Sequence, residues 1–281
     1  MDFRCAASFI LVVVLGLCMP VTAQESPLRI LQTGDDSRGW DAVGKLTLGR
    51  KGFCTGALIA PQLVLTAAHC LFDKETGARI NPDEIKFLAG WRNGRAVAYR
   101  GVRRAVAHPE YVYGGGEKLD RVAYDLALLE LDQPIRLPSV TPFETGVRPQ
   151  KGDPVGVVSY AQDRAEAPSL QEVCHVLGRQ PGVLVLSCNV DFGSSGAPIF
   201  SVRDGVARVV SVVSAKAEVD GKPVALGTSL EEPLRVLREE LDSGGSLALR
   251  SVPGVRLLSG GLAGNSTDGA KFVKPDQPDE P

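Results

Sequence analysis

Three stretches far apart in the chain carry side chains that together suit acyl transfer: Thr66-Ala67-Ala68-His69-Cys70, Asp125-Leu126-Ala127-Leu128-Leu129 and Gly193-Ser194-Ser195-Gly196-Ala197-Pro198. A serine hydroxyl is a weak nucleophile near neutrality, so a base must take its proton during attack and return it to the leaving group. An imidazole titrates near about pH 6.5 and can do both, which makes His69 the candidate base. Asp125 stands between Tyr124 and Leu126 at the head of an apolar run and is expected to be partly buried. An ionised carboxylate tolerates burial only with partners such as an imidazole N–H, so its role is to fix the ring and stabilise the imidazolium. The third stretch is rich enough in glycine to expose one hydroxyl and to aim backbone N–H groups at a common point. Ser194 and Ser195 compete to supply that hydroxyl.

The elements that must position these groups read mostly as strands. Leu58-Ile59-Ala60, Leu63-Val64-Leu65, Lys86-Phe87-Leu88, Ala96-Val97-Ala98-Tyr99, Val102 to Ala107 and Leu126 to Leu131 are short apolar or alternating runs separated by Gly, Pro, Asn and Asp. They form a first β unit. A proline-bearing passage from Pro134 to Pro149 reads as a crossover, and Pro154 to Tyr160, Val183 to Cys188, Ile199 to Val202 and Val206 to Val213 form a second unit. The one strongly helical stretch is Glu231 to Leu241, with Leu234, Leu237 and Leu241 on one face.

Composition permits a globular enzyme. Of 281 residues, 44% are hydrophobic and 23% charged, enough apolar material for one large or two small cores. The net charge of −2 comes from interspersed 31 basic and 33 acidic residues, which argues against a nucleic-acid or anionic-membrane surface. Residues 1–23 read as a secretory signal: Arg4, an apolar run from Ala6 to Met19, then Val21-Thr22-Ala23. That run has about 14 residues where a span needs roughly 20, so no stable membrane insertion is expected once the signal is cleaved. Cys18 after Leu15-Gly16-Leu17 fits a lipoprotein signal poorly, because Leu17 stands where a small residue is wanted.

Signal cleavage leaves Cys54, Cys70, Cys174 and Cys188 in a secreted or periplasmic compartment, where an even count favours two disulfides among three connectivities. No C-x-x-C or H-E-x-x-H is present, and the three histidines are scattered, so neither a metal nor a cofactor is expected. Residues 243–281 are rich in Gly, Ser, Pro and Asp and read as a flexible tail. Asn265-Ser266-Thr267 within it fits the N-glycosylation pattern, a match that arises easily by chance.

Each motif alone has an ordinary reading: a core histidine beside a disulfide, an amphipathic strand, a turn. In the order His, Asp, Ser, with T-A-A-H-C, D-L-A-L-L and G-S-S-G-A-P around them, they resemble the chymotrypsin-like serine peptidases, and in particular the bacterial-type branch that includes glutamyl-endopeptidase-like enzymes. The resemblance covers about residues 41–242. It implies an all-β fold of two six-stranded antiparallel barrels closed by a C-terminal helix, with residues 24–40 as an N-terminal extension or short propeptide. It further implies His69, Asp125 and Ser195 as the triad, Gly193 and Ser195 as oxyanion donors, and polypeptides as substrates. Cys54 and Cys70 flank a strand-loop-strand beside His69, as in that family, which implies Cys54–Cys70 and hence Cys174–Cys188.

Departures from the family pattern matter as much. Ser194 stands where the family carries an aspartate that pairs with a freed N-terminal isoleucine amine, so a latch involving Ile30 is not expected. Asn189 occupies the position of the trypsin-type aspartate, which argues against a preference for Arg or Lys. Ser214-Ala215-Lys216 matches the S-W-G wall of the primary pocket, with Ser214 a candidate partner for Asp125 and Lys216 at the rim; small apolar or acidic side chains are the expected preference. His108-Pro109-Glu110-Tyr111 resembles a surface loop of the family, and His175 beside Cys174 reads as structural. The reading from another class is a catalytically silent binding protein of the same fold, since a fold does not fix a function.

Overall fold

The computed structural model describes residues 25–50, 52–114 and 118–243. The expected signal segment, residues 244–281 of the tail and Asn265 lie outside the described residues. Strand β1 (Arg29–Ile30) belongs to the second of two sheets. The first sheet follows with β2 (Val43–Leu48), β3 (Phe53–Ala60), β4 (Leu63–Thr66), β5 (Ile85–Ala89), β6 (Ala98–Ala107) and, after helix α1 (Lys118–Ala123), β7 (Ala127–Leu131). It closes into an antiparallel barrel in the order β2-β3-β4-β7-β6-β5.

The second sheet comprises β8 (Pro154–Ala161), β9 (Arg164–Gln180), β10 (Val183–Leu186), β11 (Pro198–Arg203), β12 (Val206–Val219) and β13 (Lys222–Ser229). Its order is β1-β9-β10-β13-β12-β11-β8, and β8 also pairs with β9, so six strands close on themselves and β1 adds to β9 at Arg29–Leu170 and Ile30–Ser169. This is the expected architecture of two six-stranded barrels. The passage from 134 to 149 holds no named strand and carries the chain between them.

Besides the two-residue β1, four strands or α-helices go beyond the sequence reading, each for a physical reason. β2 escapes a periodicity search because Gly44 interrupts it; a Cβ there would stand 2.3 Å from the Phe87 ring, so the site needs glycine to let the barrel close. β9 is polar and carries Pro168, yet its middle is buried from Ala167 to Gln171 by its barrel neighbours. β13 begins Lys222-Pro223 and buries only its later residues. α1 has six residues, too few for a helical period to show.

The closing helix α2 (Glu231–Asp242) forms where expected and buries Leu234, Leu237 and Leu241. It packs back on the first barrel: the Arg104 guanidinium of β6 donates to the Leu241 carbonyl at 3.0 Å, satisfying one of the orphan acceptors of its last turn. Trp40, Phe143 and Phe200 meet where the crossover passes both barrels, with ring centroids 4.7–6.0 Å apart.

Candidate active site

β4 and β7 are antiparallel neighbours with Thr66 opposite Ala127. His69 lies three residues beyond Thr66 and Asp125 two residues before Ala127, so the register delivers both to the same end of the barrel. His69 sits in a 3₁₀ turn (Ala68–Leu71), and the fully buried Ala67 and Ala68 leave no side chain to push the ring away. Its Nδ1 is 2.6 Å from Asp125 Oδ2, and its backbone N–H donates to Asp125 Oδ1 at 2.8 Å. The Ser214 hydroxyl donates to the same Oδ2 at 2.5 Å, as the sequence reading expected of Ser214. Three donors thus surround a carboxylate whose side chain is only 4% exposed, which is what a buried charge requires. Because Nδ1–H donates to Asp125, the neutral ring keeps Nε2 as its acceptor.

The Asp125 turn is anchored from the second barrel. The Thr228 hydroxyl of β13 lies 2.6 Å from the Val122 carbonyl and 3.3 Å from that of Asp125. Nothing in the sequence around Thr228 marks it for this contact, because it depends on how the barrels meet.

Cys54 and Cys70 form one disulfide and Cys174 and Cys188 the other, the pairing that the resemblance implied. The Cys54 and Cys70 sulfurs and a His69 ring nitrogen lie within 4.8 Å of one another. Sulfurs bonded to each other are not thiolate ligands, so this cluster fits a structural crosslink beside the base and not a metal centre.

The Gly193-Ser194-Ser195 turn separates the two serines clearly. Ser194 is fully buried; its hydroxyl accepts from the Asp191 N–H at 3.2 Å and lies 3.2 Å from Ser159 Oγ and 3.3 Å from the Tyr160 carbonyl, either of which can take its proton. Ser195 is half-buried, and its hydroxyl has no hydrogen-bond partner among the described residues. The Gly193 and Ser195 N–H groups likewise donate to none of the described residues, whereas the Ser194 N–H between them is taken by the Asp191 carbonyl at 2.9 Å. Both glycines are obligatory. Gly193 and Gly196 have φ of +97° and +78°, and a Cβ would meet the Phe53 ring at 2.5 Å at the first and Thr66 Oγ1 at 2.1 Å at the second.

Alongside His69 runs a cleft of about 680 Å³, walled by Tyr111, Val122, Ser214, Ala215, Lys216 and Leu226. Lys216, in the wall of the cleft, reaches Asp191, outside it, at 3.1 Å. The Phe192 N–H and then Lys216 hold the Asp191 carboxyl below the ordinary carboxylate range. Asn189 does not line this cleft; it is exposed, and its backbone N–H donates to the buried Gln171 Oε1 at 2.8 Å. Tyr111, which the sequence reading placed in a surface loop, is buried and lines the cleft, and burial together with the nearby Asp125 charge pushes its phenol pKa up. The surface-loop reading of His108 needs correction: the side chain is buried and stacks on Tyr124 at 5.0 Å, in a turn closed by the Tyr111 N–H donating to the His108 carbonyl at 2.9 Å. His175 exchanges backbone and hydroxyl hydrogen bonds with Ser187 beside the second disulfide, in keeping with a structural role. Ile30 lies in β1, 43% exposed, opposite Ser169.

Residues 54–210 match the trypsin-like peptidase domain as a family. Among curated proteins, the chain is 36% identical over 89 residues to a modular serine protease of Drosophila melanogaster, covering 31% of this chain and 14% of that protein. It is 23% identical over 193 residues to a glutamyl endopeptidase of Bacillus licheniformis (68% and 58%). To human kallikrein-10 it is 35% identical over 116 residues, 40% of each chain. The chain therefore spans less than two thirds of the length of each of these relatives. A solved Glu endopeptidase structure, in complex with MPD, superposes with a TM-score of 0.62 over 80% of this chain and 98% of that one at 16% identity, a likeness of fold.

Proposed function

The chain belongs to the trypsin-like peptidase family, and from that premise we propose that it is a serine endopeptidase working through an acyl-enzyme on His69, Asp125 and Ser195. Two observations support the reading: an imidazole held at Nδ1 by a buried carboxylate, and a turn whose Ser195 hydroxyl and two N–H donors are unused among the described residues. His69 Nε2 takes the Ser195 proton as the oxygen adds to the scissile carbonyl. The carbonyl oxygen, now anionic, accepts from the Gly193 and Ser195 N–H groups. His69 then protonates the leaving amine, the C–N bond breaks, and water repeats the sequence on the acyl-enzyme. Asp125 holds the ring and stabilises the imidazolium; Ser214 holds Asp125.

Polypeptides are the substrates of this reading. A basic side chain at the cleaved position would meet Lys216 in the wall of the cleft, and Asn189, outside that cleft, brings no carboxylate to it, so small apolar or acidic side chains fit better; a glutamyl endopeptidase among the relatives agrees with the acidic choice. Two disulfides fit a secreted or periplasmic site of action, reached through a signal at residues 1–23. Residues 24–40 then precede the peptidase domain at 41–242, with the tail at 243–281. Among the described residues no helix is long and apolar enough to cross a membrane.

The test is labelling of the purified protein with a fluorophosphonate, which needs both an activated serine and a formed oxyanion hole. Stoichiometric modification of Ser195 is expected. An unlabelled but folded protein would favour the catalytically silent binding reading instead.

A further inference from the structure

We infer that Thr55 is a positioning residue of the peptidase, its hydroxyl reaching from the first barrel to hold the Gly193 peptide so that the oxyanion donors stay aimed without a charged latch. The inference rests on the catalytic reading above. Thr55 is fully buried in β3, next to Cys54, and each of its polar groups is engaged. Its N–H donates to the Ser195 carbonyl at 2.8 Å and its carbonyl accepts from Thr66 Oγ1 at 2.8 Å. Its hydroxyl accepts from the Tyr160 N–H at 3.1 Å and donates to the Gly193 carbonyl at 2.9 Å. The directions are not arbitrary: an amide N–H can only donate, which leaves the single hydroxyl proton for the Gly193 oxygen.

Three successive peptide groups set the aim of the turn. The Phe192 carbonyl accepts from the Gln162 N–H at 2.7 Å, the Gly193 carbonyl from Thr55, and the Ser194 carbonyl from the Ala197 N–H at 2.9 Å. A trans peptide points its N–H opposite its carbonyl, so fixing the Phe192 and Ser194 oxygens turns the Gly193 and Ser195 N–H groups to the other side. The middle peptide is the hinge between them, and of the three it alone is held by a side chain. Gly193 has no Cβ to resist rotation, and residue 194 is a serine where an ion pair would need a carboxylate. Ser194 binds Ser159 and the Tyr160 carbonyl, while Tyr160 N–H binds Thr55, so the hold is a neutral hydroxyl network that joins both barrels.

The experiment compares kcat, KM and fluorophosphonate labelling rate for the wild type, Thr55→Val and Thr55→Ser, with near-ultraviolet circular dichroism as the check on folding. Thr55→Val keeps the shape and removes the donor; kcat and labelling rate should fall about 10- to 100-fold with KM within about threefold. Thr55→Ser should stay within about threefold of wild type. Equal kcat in wild type and Thr55→Val, a loss confined to KM, or a Ser variant as impaired as the Val variant would overturn the inference, the last by placing the effect in methyl packing. If Thr55→Val does not fold, Thr55→Cys replaces it: a poor donor of serine's shape should fall about tenfold below Thr55→Ser, and parity would overturn the inference. A wild type that does not label sinks the catalytic reading and this inference with it, whereas labelled wild type with a fully active Thr55→Val sinks this inference alone.

Discussion

In the first barrel, His69 and Asp125 leave adjacent ends of β4 and β7, and the ladder from Leu63–Glu130 to Thr66–Ala127 places them within hydrogen-bond reach. In the second, Ser195 lies between β10 and β11 in a stretch from 187 to 197 that contains no strand, and no register can place it. Its position comes from positive-φ glycines, carbonyl-directed hydrogen bonds and contacts to Thr55 across the seam. The proposed base and its acid are held by closure of a barrel; the proposed nucleophile is held by a turn that another barrel braces. Part of the cleft wall follows the first pattern: Ser214, Ala215 and Lys216 lie in β12 and Leu226 in β13, so strands and not loops carry it.

The contrast is broken most severely at the reacting groups. Ser195→Ala and His69→Ala should each lower peptide hydrolysis by about 10⁴- to 10⁶-fold, since the two act as one unit. Ser194→Ala should cost far less, because that hydroxyl is buried in the brace and faces no substrate. Steady-state kinetics on the three variants decides it; an inactive Ser194→Ala beside an active Ser195→Ala would reverse the roles assigned to the turn.

The disulfides sharpen the comparison next. Each spans a similar separation, 16 residues for Cys54–Cys70 and 14 for Cys174–Cys188, so loss of either should cost about 3 kcal/mol in urea unfolding on the chain-entropy account. Their effects on turnover should differ. Replacing both Cys54 and Cys70 by Ala should also lower kcat, because that bridge joins the Thr55 strand to the residue after His69, whereas the Cys174, Cys188 pair should leave kcat of the folded protein near wild type.

Smaller effects are expected at the pocket rim. Lys216 and Asp191 are 49% and 44% exposed, so breaking the pair should change stability by less than about 1 kcal/mol. Asp191→Asn frees the ammonium and should shift cleavage of a peptide library several-fold toward acidic side chains. A dominant preference for Arg or Lys in the wild type would show that a carboxylate other than one at position 189 reads the substrate.

The smallest effect concerns His108 beneath the first barrel's turn. Burial holds its pKa below the ordinary histidine value, against the opposing pull of Glu110, Glu232 and Glu240. As pH falls through about 6.5 the unfolded chain takes up the proton first, so stability declines from there toward the lower folded value. His108→Gln should flatten that part of the thermal midpoint's decline between pH 7 and 5. Parallel slopes would mean that His108 protonates as readily folded as unfolded.

Much of the site was legible in the residues. Thr66 to Cys70, Asp125 to Leu129 and Gly193 to Pro198 carry side chains whose chemistry points to one reaction, and most strands announce themselves by apolar runs between turn residues. What escaped shares one cause. β2, β9 and β13 are polar or glycine-interrupted segments made into strands by neighbours distant in sequence, and Gly44 acquires its meaning only once Phe87 lies against it.

From the sequence alone followed the candidate residue types, their order, two β units and the helix whose leucines recur at three- and four-residue spacing, because these depend on local chemistry and periodicity; the two-barrel class came through the family resemblance. Tertiary structure alone decided which serine is free, which donors are unused and what braces them. Ser194 and Ser195 are adjacent and chemically identical; one is buried against Ser159 and Tyr160 of β8 while the other keeps a hydroxyl unengaged among the described residues, and that difference arises from contacts across about 35 residues of the second barrel. Thr55 and Thr228 belong to the same lesson. A threonine in a strand has no local mark of function, and its hydroxyl gains a role only when closure of both barrels brings a carbonyl within reach.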